Sequence, residues 1–231
     1  MSFAFTHEQQ PAINSLARLI RLVAFAGTGK TTTLVRYAQA RPQLRILYLC
    51  YNKSVEITAK EKFPLHVTCK TSHGLAYGSM GAKYQHKLTK NLRLSADESI
   101  TLDHVPSSRL KNERMKRAAG KIVASADHLW SRMLDVRDAS VHQTHDGYLK
   151  AFALTRPDLS KRFDIVLADE AQDINPLLAG VLADQARYGM GVVVCGDGHQ
   201  MLYRFRGAVD ALDAHWLDEA ETHYLTQSFR F

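Results

Sequence analysis

The 231-residue sequence contains few cysteines and no long apolar run, and both absences narrow the class of protein. Its three cysteines, Cys50, Cys69 and Cys195, lack metal-ligand spacing, and their odd number argues against a disulfide framework. No stretch approaches the roughly eighteen apolar residues that span a bilayer. The start, MSFAFTHEQQ, has no basic region followed by an apolar one. We therefore expect a soluble, cytoplasmic protein without a membrane partner, whose cysteines serve as buried packing residues.

Internal repeats and low-complexity tracts are also lacking, whereas short apolar runs are frequent. Six runs rich in Val, Ile and Leu alternate with helix-length segments: Leu22–Phe25, Leu44–Cys50, Leu65–Cys69, Phe163–Ala168, Val192–Cys195 and Thr222–Leu225. Nearly continuous apolar strands separated by helices predict a parallel sheet that is covered on both faces. The predicted fold class is therefore α/β, with the ligand site at the carboxyl ends of the strands.

The interval from residue 81 to residue 160 interrupts this alternation. It is mostly helical in pattern, and a structureless loop of that length would be unusual. Within it, residues 83–121 hold ten Lys or Arg against four Asp or Glu, in a chain of net charge +7. This charge suits a polyanionic partner, and a solvated helical surface would explain it equally well. We expect one sheet domain, residues 1–80 and 161–231, with an inserted basic helical subdomain at 81–160.

The segment AFAGTGKT, residues 24–31, lies between a predicted strand and a predicted helix. Gly27 and Gly29 allow backbone N–H groups to approach a phosphate chain closely, and the helix start adds further free donors. Lys30 would reach the β- and γ-phosphates, and Thr31 would offer a hydroxyl to Mg²⁺. The segment departs from G-x-x-x-x-G-K-[ST] only at its first position. It therefore predicts a nucleoside triphosphate site.

The segment FDIVLADEAQD, residues 163–173, places two carboxylates directly after a predicted buried strand. Asp169 lies where a nucleotide-bound Mg²⁺ needs a negative ligand, and Glu170 could polarise the attacking water. Two adjacent acids alone more often begin a solvated helix. The preceding strand and the phosphate loop favour the catalytic interpretation.

The segment GVVVCGDGHQMLYRFRGA, residues 191–208, combines a further predicted strand with a polar and aromatic run. Gln200 can both donate and accept hydrogen bonds, which suits contact with a γ-phosphate or with the attacking water. Tyr203 and Arg206, with the residues between them, interleave aromatic rings and cations, as single-strand binding requires. An ordinary core and rim would use the same residue types.

Together, and in this order, these motifs closely resemble those of superfamily 1 DNA helicases of the UvrD/Rep type. The segments LYLCYNKSVEITAKEKFP and VTCKTSHGLAY resemble especially the F-box DNA helicase branch and its bacterial and phage relatives. The resemblance covers the whole chain except the inserted middle. It implies a RecA-like P-loop NTPase fold, ATP and Mg²⁺ as cofactors, a bacterial or phage origin, and ATP-dependent 3′ to 5′ movement along single-stranded DNA.

The resemblance also implies roles for individual residues. The residues implied to act in hydrolysis are Lys30, Glu170, Gln200 and Arg230, and those implied to hold Mg²⁺ are Thr31 and Asp169. The residues implied to bind the nucleotide are Gln9, Ala26, Gly27, Thr28, Gly29, Lys30, Thr31, Thr32 and Phe229. Among them Gln9 reads the adenine edge, and Phe229 replaces a tyrosine that stacks on adenine. The residues implied to line the DNA groove are Tyr51, Asn52, Lys53, Thr71, Ser72, His73, Tyr203 and Arg206.

Outside the resemblance, some of these residues have ordinary explanations. Gln9 could be a polar residue of a first helix, and His73 a capping or core histidine.

Thr32 stands where the family often has an arginine that packs on adenine, and Cys50 stands where close relatives carry an aromatic residue. It is therefore open whether Tyr51 makes the corresponding base contact.

Helicases of this type hydrolyse ATP between two RecA-like domains, and the second domain supplies a further arginine that stabilises the transition state. The sequence ends at Phe231 without such a domain, so we expect a truncated chain that hydrolyses ATP slowly or not at all. The expected partners are single-stranded DNA, DNA junctions and the second RecA-like domain. Two alternatives stay open: a non-catalytic nucleic-acid-binding module, and, with less support, a P-loop kinase or small NTPase.

Overall fold

The structure, a computed structural model, describes residues 5–89, 110–197 and 211–229, and these residues form a six-stranded parallel sheet and a two-stranded one. The strands are β1 (Leu19–Ala24), β2 (Ile46–Cys50), β3 (Val67–Thr71), β4 (Leu88–Thr89), β5 (Gln143–Thr144), β6 (Ile165–Ala168), β7 (Gly191–Gly196) and β8 (Glu221–Leu225). The order in the large sheet is β3-β2-β6-β7-β1-β8, and every neighbouring pair is parallel. All its strands therefore end at the same edge.

Helices connect these strands. The α-helices of the described residues are α1 (Gln9–Asn14), α2 (Lys30–Gln39), α3 (Lys53–Lys62), α4 (Ser72–Ser79), α5 (Glu113–Leu134), α6 (His145–Leu154) and α7 (Pro176–Arg187). Four of them begin after a capping side chain that accepts a hydrogen bond from a backbone N–H three residues later: Asn52, Asn112, Thr144 and Asn175. Within the described ranges, no helix has the length and apolar character needed to cross a bilayer.

The large sheet is buried on both faces. Alternate strand side chains such as Ile20 and Tyr48 form one core cluster with Leu34 of α2 and with Phe63, which follows α3. The intervening side chains face the other side and are also buried, as Val166 shows. The central strands β2 and β6 have no exposed residue. This two-sided burial confirms the predicted α/β fold class.

The six predicted strands of the large sheet are present, but most of their predicted ends differ from the observed ends by one to three residues, and Phe25 and Leu65 are two examples. Phe25 lies in the loop after β1 with 39% of its surface exposed. Leu65 is fully exposed and precedes β3, because a turn closed by Val67 N–H and the Pro64 carbonyl at 2.9 Å delays the start of the strand. An apolar side chain at the end of a run therefore misplaces the boundary.

The chain divides into two compact units, Met1–Leu75 with Arg156–Phe231, and Ala76–Thr155. The first unit contains the large sheet. In the described part of the second, the hydroxyl of Tyr84 donates to the Leu134 carbonyl at the end of α5 at 3.0 Å. The prediction of a basic subdomain with boundaries at 81 and 160 stays a prediction.

Candidate nucleotide and nucleic-acid site

The loop between β1 and α2 has the backbone geometry of a phosphate loop. Gly27 and Gly29 have φ angles of 75° and 81°, in the left-handed region that favours glycine. Thr28, between them, is buried, and its hydroxyl donates to the Phe25 carbonyl at 2.8 Å. A Cβ on Gly29 would lie 2.8 Å from Nε2 of Gln9. Both glycines are therefore needed for this loop conformation.

The first two residues of α2 approach the two carboxylates that follow β6. Nζ of Lys30 lies 3.4 Å from Oε2 of Glu170. The hydroxyl of Thr31 donates to Oδ2 of Asp169 at a long 3.5 Å. β6 and β1 are separated by β7 in the sheet, so the side chains meet above the carboxyl end of that strand. The structure thus brings four of the predicted site residues together.

Asp169 is buried, and hydrogen bonds orient its carboxylate. Tyr48 donates its hydroxyl to Oδ2 at 2.6 Å, and the Glu170 N–H donates to Oδ1 at 3.0 Å. Burial raises the pKa of Asp169, and the hydrogen bond from Tyr48 opposes that rise. Burial, followed by the charge of Asp169, raises the pKa of Tyr48 above its ordinary value, so the phenol stays protonated as a donor.

Glu170 has an unusual backbone conformation, and a neighbouring glutamine binds its carboxylate. Its φ angle is 53°, which is uncommon for a residue with a side chain and marks candidate functional positions. Gln172, 2% exposed, donates from Nε2 to Oε2 of Glu170 at 2.9 Å. Oε1 of Gln172 accepts from the Asp197 N–H at 3.0 Å. Gln172 therefore connects Glu170 with the end of β7.

Tyr48 and Gln172 are site residues to which the sequence motifs assign no role. Tyr48 lies in a predicted strand 121 positions before Asp169, and nothing near it in sequence distinguishes it from a core tyrosine. Gln172 carries a weak sequence signal of a site role. It is an uncharged polar residue two positions after the proposed catalytic acid, in the segment that follows a buried strand.

An open cleft of about 400 Å³ lies over the loop. Its lining residues are Ala26, Gly27, Gly29, Lys30, Thr31, Thr32, Glu170 and Phe229. The volume is within the range of small-molecule sites, about 300–1,000 Å³. Gln9 is 4% exposed and donates from Nε2 to the Thr28 carbonyl at 3.3 Å, so it stabilises the loop from the interior of the domain. Every residue of this lining is one that the sequence analysis predicts for the nucleotide site.

The residues that follow β2 belong to the predicted DNA groove. Tyr51 is 41% exposed. Asn52 caps α3, because its Oδ1 accepts from the Val55 N–H at 2.9 Å. The ammonium of Lys53 lies 2.9 Å from Oε1 of Glu56, and its side chain is 70% exposed. After β2, the Asn52 side chain therefore caps α3, while Tyr51 places a ring and Lys53 places a cation at the surface.

The residues that follow β3 lie at the same edge of the sheet, because β3 is the neighbour of β2. Thr71 ends the strand, and its hydroxyl accepts from the Gly74 N–H at 3.0 Å. Ser72 and His73 begin α4 and are partly exposed. Four predicted site residues lie outside the described residues: Gln200, Tyr203, Arg206 and Arg230.

The three cysteines are buried, as expected from their positions in apolar runs. Burial raises the pKa of Cys50 to about 12 and that of Cys69 to about 11, and it also raises the pKa of Cys195. Thiolates are therefore scarce at neutral pH, which disfavours a catalytic cysteine. Among the described residues, no group of three or more His, Cys, Asp and Glu could hold a metal by itself.

Comparison with known proteins identifies the family. The profile of the AAA domain family matches residues 9–206. The chain belongs to the AAA domain family. F-box DNA helicase 1 of Gallus gallus is 34% identical over 98% of this chain, and F-box DNA helicase protein 1 of Schizosaccharomyces pombe is 30% identical over 92%. The chain spans 26% and 29% of the lengths of these relatives.

Membership of the AAA domain family implies nucleotide binding, and these relatives confirm the predicted resemblance to superfamily 1 helicases related to F-box DNA helicase. Both relatives are eukaryotic, so they give no support to a bacterial or phage origin. A probable DNA helicase II homolog of Mycoplasma pneumoniae matches 31% of this chain at 36% identity and 11% of its own length. The Pif1 helicase structure from Candida albicans matches 99% of this chain and 41% of its own, with a TM-score of 0.49 and 12% identity.

Proposed function

We propose that this chain is the ATP-binding motor domain of a DNA helicase that moves 3′ to 5′ along single-stranded DNA. The observation that carries this proposal is the meeting of Lys30 with Glu170, and of Thr31 with Asp169, beside one cleft. Triphosphate hydrolysis needs phosphate-binding, metal-binding and water-orienting groups around one phosphate. Relatives matched along nearly the whole chain are named as DNA helicases, which supports DNA as the track.

In this proposal Lys30 and Glu170 exchange partners when ATP binds. The Lys30 side chain is 13% exposed and pairs with Glu170 at 3.4 Å. A γ-phosphate in the cleft competes for the ammonium group, because it carries more negative charge than one carboxylate. Glu170 is then free to orient water while Gln172 holds its Oε2. We assign further contacts with the γ-phosphate to Gln200 and Arg230.

Mg²⁺ fits between Thr31 and Asp169. Adjacent oxygen ligands of an octahedral Mg²⁺ lie about 3 Å apart, and the Thr31 hydroxyl is 3.5 Å from Oδ2 of Asp169. Desolvation penalises the buried Asp169 carboxylate, and a nearby cation would offset that cost. When bound, Mg²⁺ supplies positive charge to the phosphate oxygens, and these two residues would hold it.

The other end of the cleft is proposed to hold the adenine ring. Phe229 is 57% exposed, and its backbone N–H donates to the Gly27 carbonyl at 2.9 Å. The Phe229 ring is therefore available for stacking beside the loop. Gln9 lies next to Gly29 and is assigned to the edge of the base. Ala26, Thr28 and Thr32 complete the proposed nucleotide set.

Single-stranded DNA is proposed to cross the ends of β2 and β3. Tyr51 supplies an exposed ring for a base, and Lys53 supplies a cation for the phosphates. The residues proposed to complete this surface are Asn52, Thr71, Ser72, His73, Tyr203 and Arg206. Phosphate contacts make such binding insensitive to sequence and weaker at high salt. A second RecA-like domain and DNA junctions are the further partners in this proposal.

The test replaces Lys30 in the full-length protein that the gene encodes. Lys30→Ala should lower single-strand-stimulated ATP hydrolysis by about 10²–10³-fold, the usual cost of removing one charge-stabilising donor. Lys161→Ala is the matched control, since the Lys161 side chain is 79% exposed and pairs with nearby Asp158. Unchanged hydrolysis in Lys30→Ala would show that the phosphate-loop assignment is wrong.

Polarity and catalysis have separate readouts. Duplexes with a 3′ or a 5′ single-stranded tail report direction, and only the 3′-tailed substrate should be unwound. Salt-dependent single-strand binding by a full-length protein that hydrolyses no ATP would instead identify a non-catalytic binding module. Absence of oligonucleotide binding at low salt would favour an NTPase unrelated to DNA.

A further inference from the structure

The segment that carries Phe229 is attached at two points. At its far end, the Phe229 N–H donates to the Gly27 carbonyl at 2.9 Å. At its start, just after β8, Thr226 donates its backbone N–H to Oε2 of Glu8 at 2.6 Å and its hydroxyl to Oε1 at 2.5 Å. The Gln227 N–H also donates to Oε2 of Glu8, at 3.2 Å. The Glu8 carboxylate therefore accepts three hydrogen bonds from this segment.

From its position before α1, Glu8 would be expected to cap that helix and not to bind the Phe229 segment. Glu8 immediately precedes α1, but its side chain makes no capping hydrogen bond to that helix. It reaches instead to residues 218 and 219 positions later. Hydrogen bonds to an ionised carboxylate are about twice as strong as neutral ones. The hydrogen bond from the Thr226 hydroxyl is the main cause that keeps the pKa of Glu8 below its ordinary value.

Glu8 is also adjacent to the residue that supports the loop from the other side. Gln9 donates from Nε2 to the Thr28 carbonyl at 3.3 Å. A Cβ at Gly29 would lie 2.8 Å from that same nitrogen and 3.7 Å from Cε2 of Phe229. Gln9 and Phe229 therefore border the same corner of the loop. The dipeptide Glu8-Gln9 fixes both groups that would meet a nucleotide base.

We propose that Glu8 is a positioning residue that sets the distance between Phe229 and Gln9 and so makes the cleft selective for a purine base. This inference rests on the proposed function, in which the base lies at Phe229. Glu8 does not contact the base itself in this arrangement. It keeps the Phe229 segment against the loop, so that a ring stacked on Phe229 also presents its edge to Gln9. Loss of Glu8 should therefore weaken base recognition and leave phosphate binding intact.

The first measurement compares ADP with UDP, since the two share phosphates and ribose and differ in the base. Titration calorimetry on the full-length protein should show tighter binding of ADP. Glu8→Gln removes the negative charge of the acceptor and replaces one of its two acceptor oxygens with an amide group. It should weaken ADP binding about tenfold while the Kd of UDP changes less than twofold. Thr226→Val removes only the hydroxyl donor. It should also weaken ADP binding relative to UDP binding, by a smaller factor than Glu8→Gln.

Hydrolysis gives the second measurement. In Glu8→Gln, the KM for ATP should rise about tenfold with kcat within about twofold, and the constants for UTP should change little. Glu221→Gln is the matched control, since Glu221 also accepts a hydroxyl hydrogen bond, from Ser15 at 2.9 Å, but does not line the cleft. It should leave the ratio of ATP to UTP unchanged.

The outcomes separate this inference from the proposed function. A lower melting temperature in Glu8→Gln with an unchanged ratio of ADP to UDP affinity would overturn the inference and leave a purely structural role. Equal affinities of the unsubstituted protein for ADP and UDP would also overturn it. If Lys30→Ala leaves hydrolysis unchanged, the proposed function is wrong. The ratio of ADP to UDP affinity in Glu8→Gln still tests the role of Glu8 in that case. Should Glu8→Gln not fold, Thr226→Val decides the matter in the same assays.

Discussion

The hydroxyl of Tyr48 donates a hydrogen bond to Oδ2 of Asp169 at 2.6 Å, and both side chains are buried. The bond joins the middle of β2 to the residue that follows β6. The ring of Phe63 lies against Tyr48 with a centroid separation of 4.4 Å. The proposed Mg²⁺ ligand is thus oriented by a core tyrosine, which makes the metal site depend on the packing of the sheet.

Tyr48→Phe should weaken Mg²⁺ binding. The substitution keeps the ring and its contact with Phe63 but removes a donor to a buried charged group, a loss of about 1.5–3 kcal/mol in unfolding free energy. Because Asp169 then loses one of the hydrogen bonds that orient its carboxylate, the Mg²⁺ concentration for half-maximal nucleotide binding should rise several-fold. Tyr37→Phe is the control, since Tyr37 is a buried tyrosine of α2 that stacks on Arg41. Identical Mg²⁺ titrations of Tyr48→Phe and the unsubstituted protein would contradict the prediction.

Gln172→Leu should reduce turnover more than nucleotide affinity. Leucine has a similar volume but removes both the donor to Glu170 and the acceptor of the Asp197 N–H. A misplaced Glu170 should lower kcat by about 10–100-fold. Gln185→Leu is the matched control, because Gln185 is a fully buried glutamine whose side chain bonds to three backbone groups away from the cleft. Equal kcat values for the two variants would indicate that Gln172 is only structural.

Gly196→Ala should destabilise the protein through the same glutamine. A Cβ at position 196 would lie 2.4 Å from Oε1 of Gln172 and 3.0 Å from the Ala171 nitrogen. Overpacking of this kind typically costs about 1–3 kcal/mol, measurable by urea unfolding. Gly180→Ala lies in α7 with open space around it, and it should stabilise by about 0.4–1 kcal/mol. The two substitutions should therefore shift the urea midpoint in opposite directions.

The fold is largely predictable from the sequence because the sheet is parallel and covered on both faces. Runs such as residues 165–168 stay apolar without alternation, and only a strand buried on both sides requires that pattern. Strand ends are less predictable, since they depend on turns. Leu65 is apolar but exposed, and the turn that starts at Pro64 places β3 two residues later than predicted.

The candidate site is predictable only where it lies in short segments. The phosphate loop and the acids Asp169 and Glu170 carry spacing that chemistry dictates. Contacts between residues that are far apart in the chain carry no such spacing. Tyr48 is one example, and the reach of Glu8 to Thr226 across 218 positions is another. Such pairs are fixed by strand order, which no local pattern encodes.

A buried lysine holds the end of α5 in the second unit. Lys87 is 3% exposed, and its ammonium donates to three carbonyls, those of Arg132 at 3.3 Å, Asp135 at 2.5 Å and Asp138 at 3.0 Å. A cation at the carboxyl end of a helix also complements the helix dipole. In the sequence Lys87 is one of the basic residues of the segment 83–121, yet its charge is satisfied inside the protein.

Lys87→Met should therefore destabilise the second unit rather than weaken DNA binding. Methionine fills a similar volume but leaves the three carbonyls without their donor, at a cost of about 2–5 kcal/mol. Hydrogen exchange in the last turn of α5 should accelerate, and the melting temperature should fall. Lys83 is an exposed lysine of the 3-10 helix Gly81–Lys87, which also contains Lys87, and Lys83→Met should change stability by less than about 0.5 kcal/mol. A loss of oligonucleotide affinity in Lys87→Met with unchanged exchange in α5 would show that this ammonium faces nucleic acid instead of the helix end.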